Sequence, residues 1–278
     1  MHKIFSSFIF TFLVSFSYAQ NSLMVYVGAA SKPPTQEIIQ KFQDKYNVRV
    51  DANYGGSGYV LSQMILARQG DIYFPGSSDY MLKAIQKDVV YKNSEKRIVY
   101  LVQAINVRKG NPKNIKSLSD LTKPGIRVAI ANPEGVCVGA YAVETIENSF
   151  TQEQKSAFLE NLVNYTGSCA KTASAISLKQ VDAVIGWRVF ENWDPKRIES
   201  IALKASEISR IAYIPMAISK FSKKKKLAQQ FMNFFVSKEA KAIFHKYKYL
   251  MSAKEANLYI GVDKPVGGQY IVPKEWIQ

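Results

Sequence analysis

The sequence predicts an α/β protein of two lobes, each a mixed sheet flanked by helices, with two strands running between the lobes. Three observations predict it. Strand-like and helix-like segments alternate from Leu23 onward, an order that implies a mostly parallel sheet covered by helices. That alternation pauses near residue 98 and starts afresh near residue 126. Two long, apolar, strand-like stretches, 98–107 and 211–218, flank the second series, and there the chain is expected to cross.

Each element has its own signal. Residues 23–28 read as a buried strand. Residues 35–46 read as a helix with Ile38, Ile39, Phe42 and Tyr46 on one face. Pro33 and Pro34 precede it, and Thr35 is the cap candidate. Residues 48–54 alternate like a strand, and Gly55, Gly56, Ser57 and Gly58 make a tight turn. A helix is expected over 59–69 with Gly70 as its stop, then a short strand over 71–74 and a helix over 78–87. The second series runs as strand 126–131, helices 138–148 and 152–161, strand 163–165, helix 170–180 and strand 183–187. After strand 211–218 come helices 223–236 and 238–247, which are expected to return to the first lobe. The stretch 261–278, with Pro265, Gly267, Gly268 and Pro273, reads as an irregular tail.

The start of the chain reads as a secretion signal. His2 and Lys3 are followed by a mostly apolar stretch over 4–16, and Ser17 and Ala19 are the small residues of a cleavage site. The apolar run is too short to span a bilayer, and no Cys follows Ala19 to take a lipid. The expected division is a signal over 1–19, the first part of lobe I over 20–100, lobe II over 101–213, and the rest of lobe I with the tail over 214–278. The expected location is the periplasm.

The chain carries 37 Lys and Arg against 22 Asp and Glu, a formal charge of +15. A basic surface attracts anions at long range. Export argues against nucleic acid, and the basic run 223–226 reads as a solvated face. Two cysteines, Cys137 and Cys169, in an exported chain read most simply as a disulfide, with two free buried thiols as the alternative. No metal site, cofactor motif or catalytic set emerges. His245 lies in a helix without a partner Ser or Asp, and the 55–58 turn lacks the Lys and spacing of a phosphate loop. A binding protein is expected rather than an enzyme.

Three strand-to-helix turns of the first lobe are rich in small residues: Gly28-Ala29-Ala30-Ser31, Gly55-Gly56-Ser57-Gly58 and Pro75-Gly76-Ser77-Ser78. In open α/β sheets ligands sit beyond the carboxyl ends of strands, and helix starts there offer N–H groups to an anion. Asn132-Pro133-Glu134-Gly135-Val136-Cys137 makes a similar turn in the second lobe. Trp187 ends a strand, where its indole N–H can face a cleft.

With these turns in their order, the sequence resembles the periplasmic substrate-binding proteins of ABC importers, in particular the molybdate-binding branch. Gly70-Asp71-Ile72-Tyr73-Phe74-Pro75-Gly76, Gly110-Asn111-Pro112 and Ser237-Lys238-Glu239-Ala240 belong to the same likeness. The resemblance implies two lobes joined by two hinge strands and a small oxyanion, molybdate or tungstate, held in the cleft by hydroxyls and backbone N–H groups. It implies contacts at Ser57, Gly76, Val136 and Trp187. In the first turn a gapless match gives Ala30 and a one-residue shift gives Ser31. Trp187 stands where that branch has Tyr, and Cys137 is a second departure. The implied partner is a permease in the inner membrane, and a monomer is expected. Two rivals are a small organic or phosphorylated acid on the same fold, and a surface adhesin. Arg188 pointing into the cleft would favour the former.

Overall fold

A computed structural model of the chain describes residues 22–277. The expected signal over 1–19 lies outside the described residues. Two five-stranded mixed sheets form the molecule.

The first sheet contains β1 (Ser22–Gly28), β2 (Arg49–Gly55), β3 (Ile72–Phe74), β4 (Lys96–Leu101) and β10 (Ala212–Ile218), in the order β2-β1-β3-β10-β4. Its β1, β2 and β3 run parallel, and β10 runs antiparallel to β3 and β4. The helices α1 (Lys32–Tyr46), α2 (Ser57–Ala67) and α3 (Ser78–Gln86) connect the parallel strands. The second sheet contains β5 (Gln103–Arg108), β6 (Val128–Ala131), β7 (Leu162–Thr166), β8 (Ala183–Trp187) and β9 (Ile198–Ala202), in the order β7-β6-β8-β5-β9. Its helices are α4 (Cys137–Ser149), α5 (Gln152–Asn161) and α6 (Cys169–Ser177). Then α7 (Lys225–Phe235) and α8 (Lys238–Lys246) cover the first sheet. Phe231, Phe234 and Phe235 of α7 pack edge-on against Phe42 of α1 and Phe74 of β3.

The stretch 98–107 is two strands in two sheets. The backbone stays extended through Val102, but its pairing changes from β10 to β8 and β9. A second passage runs from β9 to β10. A third follows Leu250, whose backbone still bridges Tyr100 of β4 while its side chain packs on the core of the second lobe. There follow α9 (Ala253–Ile260) and a tail whose Trp276 is buried against Phe158 and donates its indole N–H to Glu147. Among the described residues no helix is long and apolar enough to cross a membrane.

Several boundaries differ from the sequence reading. The α1 helix begins at Lys32, with Ser31 as its cap position and both prolines in its first turn, where a missing N–H is harmless. Thr35 is therefore a buried helix residue, not a cap. The α2 helix ends at Ala67 and is capped by Arg68, which takes the left-handed conformation itself (φ 48°). Strand β9 and helix α9 were not expected.

Candidate functional site

Helix starts from both lobes meet between the sheets. At Gly28, a Cβ would lie 2.5 Å from Gly76 N and from Ser57 Oγ; at Gly76, one would lie 2.6 Å from Ala30 Cβ and from Cys137 Sγ. Only glycine allows this approach. Four turns are thereby brought together: Ala30 after β1, Ser57 at the start of α2, Gly76 before α3, and Cys137 at the start of α4. The Gly76 N–H donates to Ser57 Oγ at 2.9 Å, and Tyr73 Oη donates to the Ser57 carbonyl at 2.9 Å. Across the lobes, the Gly58 N–H donates to the Gly135 carbonyl at 2.9 Å, and Tyr80 Oη donates to the Glu134 carbonyl at 2.8 Å.

The remaining expected residues are placed as follows. Ser31 is buried, and its hydroxyl is hydrogen-bonded to Thr35 Oγ1 at 2.9 Å. The Val136 N–H donates to the Asn132 carbonyl at 2.9 Å, so it closes its own turn. Trp187 is fully buried with its ring 5.1 Å from that of Tyr141, and its Nε1 has no hydrogen-bond partner. Arg188 donates to the Lys248 carbonyl and lies over the Tyr259 ring.

The expected disulfide is corrected. Cys137 and Cys169 are free thiols, and their sulfurs stand 3.7 Å apart in a thiol–thiol hydrogen bond. A disulfide needs about 2.05 Å. Each is the first residue of a helix, α4 or α6, and each is 1% exposed. Burial, reinforced by Cys169, pushes the Cys137 thiol well above its ordinary value. Burial likewise raises the phenols of Tyr73, Tyr80, Tyr141 and Tyr249, so the site is lined by neutral O–H and S–H groups.

Two features escaped the sequence reading. Tyr249 Oη donates to the Ala30 carbonyl at 2.7 Å and accepts from Trp193 Nε1 at 3.2 Å. Its only signal was an aromatic residue following a helix. Arg210, buried just before β10, donates to Asp79 of α3 at 2.8 Å and to Glu144 of α4 at 2.8 Å. It also donates to the Tyr141 hydroxyl and to the carbonyls of Gly267 and Gly268 in the tail. A lone Arg ahead of an apolar strand could have flagged it. Among the described residues no group of three or more metal-ligating side chains occurs.

A family model described as bacterial extracellular solute-binding protein matches residues 23–250. The chain belongs to that family. A Haemophilus influenzae protein whose name calls it a binding protein is 29% identical over 160 residues, covering 55% of this chain and 64% of that protein. The chain therefore matches a little under two-thirds of that relative's length. A Bacillus subtilis protein named as an ABC transporter substrate-binding lipoprotein, YvgL, is 24% identical over 230 residues, 82% of this chain and 86% of that one. Among solved structures, the sulfate-binding protein SubI from Mycobacterium tuberculosis superposes with a TM-score of 0.75 at 17% identity, covering 89% of this chain and 94% of that one. This solute-binding protein shares the fold of that solved structure.

Proposed function

We propose that this solute-binding protein captures a small oxyanion between its lobes, in the periplasm, and delivers it to the permease of an ABC importer. The observation that carries the reading is the convergence of Ala30, Ser57, Gly76 and Cys137 at helix starts from both lobes. An anion taken out of water needs several fixed dipoles to replace its hydration shell, and helix starts supply them. Ser57 Oγ accepts from the Gly76 N–H, and its hydroxyl also lies in hydrogen-bonding reach of the Cys137 sulfur, from which it can turn to a ligand. Trp187 Nε1 is a buried donor with no protein acceptor. Molybdate or tungstate stands first because of the turn motifs, and the sulfate named for SubI supports a tetrahedral anion on this fold. Hinge motion at the crossings would open and close the cleft.

Arg188 is engaged at Lys248 and Tyr259, which removes the sign that would have favoured an organic acid. The test is a thermal-shift screen with molybdate, tungstate, sulfate, thiosulfate, phosphate and small carboxylates. A true ligand at a hundred times its Kd stabilises the fold by about 2.7 kcal/mol. The expected result is a shift with one or more oxyanions. Ser57→Ala is expected to weaken binding by about 10- to 100-fold, the loss of one hydrogen bond to a charged group, with the unliganded melting temperature nearly kept. No shift with any oxyanion, or unchanged affinity in Ser57→Ala, overturns the assignment.

A further inference from the structure

We propose that Tyr249 is a positioning residue for the anion site: its hydroxyl takes a hydrogen bond from Trp193 of the second lobe and gives one to the Ala30 carbonyl of the first, so that contact between the lobes fixes the Ala30-Ser31 turn for the ligand. The proposal rests on the solute-binding reading and adds to it a residue outside the converging turns.

The Ala30 carbonyl needs a partner from elsewhere in the chain. Ala30 is fully buried, in a short 3₁₀ turn (Ala29–Ser31) that runs into α1. A helical turn would satisfy its carbonyl from the N–H three or four residues on. Those residues are Pro33 and Pro34, which have no N–H. A buried carbonyl left without a donor costs about as much as a lost hydrogen bond. Tyr249 Oη donates to it at 2.7 Å.

Local structure aims that hydroxyl. At the end of α8 the Lys248 N–H donates to the His245 carbonyl and the Tyr249 N–H to the Phe244 carbonyl, with Lys248 left-handed (φ 61°). This is the Schellman arrangement, in which the residue after the left-handed one packs back on the last turn. Tyr249 does so, with its ring 5.5 Å from that of Phe244. Burial keeps its phenol protonated, so the hydroxyl accepts and donates at once. It accepts from Trp193 Nε1 at 3.2 Å. Trp193 lies between β8 and β9 of the second sheet, and Arg188 of the same stretch donates to the Lys248 carbonyl. The second lobe thus grips this turn twice. Hydrogen bonds in series polarise and strengthen one another, so separating Trp193 from Tyr249 loosens the hold on Ala30 as well. Ala30 in turn stands against Gly76, where an added Cβ would lie 2.6 Å from Ala30 Cβ. The turn that Tyr249 holds is therefore a wall of the site.

The test compares the parent protein with Tyr249→Phe, which keeps the ring and removes only the hydroxyl, with Trp193→Phe, and with the double variant. Each is titrated with molybdate, tungstate and sulfate by calorimetry, and the unliganded proteins are compared by heteronuclear NMR and thermal melting. Tyr249→Phe is expected to weaken oxyanion binding by about 10-fold, the effect of one buried hydrogen bond. Trp193→Phe should weaken it by less, and the double variant should bind no worse than Tyr249→Phe, because the two donors act in series. The Ser31 amide nitrogen shares its peptide with the Ala30 carbonyl, so its resonance should move in Tyr249→Phe before any ligand is added. Trp193→Phe carries the affinity test if Tyr249→Phe folds poorly. A lowered melting temperature with parental affinity, an unmoved Ser31 amide, parental affinity in Trp193→Phe, or additive losses in the double variant overturns the proposal. If the parent binds none of these anions, the solute reading falls and takes this role with it. If the parent binds one and Tyr249→Phe binds it equally well, the role alone falls.

Discussion

Gly28 and Gly76 set the geometry of the cleft by having no side chain. A methyl at Gly76 would meet Ala30 and the Cys137 sulfur at 2.6 Å, one from each lobe. Gly76→Ala is therefore expected to destabilise the protein by about 1–3 kcal/mol, the usual cost of overpacking, and to blunt any ligand-induced thermal shift. Urea unfolding with and without ligand measures both; a variant as stable and as responsive as the parent would show that the turns have slack. At this scale the sequence was readable where chemistry demands one residue type. Small residues at four strand ends could be recognised because backbone must approach backbone. What those turns do with their N–H groups could not, since Val136 closes its own turn and Ser31 turns toward Thr35. The cysteines were legible as neighbours, but a 3.7 Å sulfur separation depends on where two helix starts come to rest.

The elements that were read well are those with strong local grammar. The α5 helix is one: Thr151 accepts from the Gln154 N–H, and the Gln154 side chain returns to the Thr151 N–H, a complete capping box. Thr151→Ala should cost about 1 kcal/mol, measured by urea unfolding; a cost near zero would mean that tertiary packing alone holds this helix. Elements with weak grammar were missed. The β9 strand is five residues at a sheet edge, mostly half-buried, so neither alternation nor a continuous apolar run marks it. The α9 helix is short and buries only Ala256. The division of 98–107 into β4 and β5 was invisible for a different reason. The chain remains extended and β-branched through Val102, and only its hydrogen-bonding partners change.

At the scale of the molecule, the lobes are tied by charge as well as by chain. Arg210 joins Asp79 of one lobe to Glu144 of the other in a buried cluster. Burial raises the Glu144 carboxyl above its ordinary range, outweighing the attraction of Arg210. A raised folded-state value means that the folded protein binds the proton more tightly than the unfolded chain. The stability this group contributes is full below the ordinary glutamate value of about 4.3 and is lost as pH rises through the folded one. Glu144→Gln is expected to flatten the stability profile in that window while keeping a hydrogen bond to Arg210. An unchanged profile from chemical denaturation across that pH range would rule this out.

The third passage between the lobes has a consequence of parity. A chain that crossed twice would begin and end on the same lobe. This one crosses at Val102, between β9 and β10, and again after Leu250, so Ser22 lies on the first sheet while Trp276 is buried in the second lobe. Ser22 and Trp276 thus ride on opposite halves. A donor and acceptor dye placed near these two residues would register opening and closing as a change in the distance between them, with no label inside the cleft.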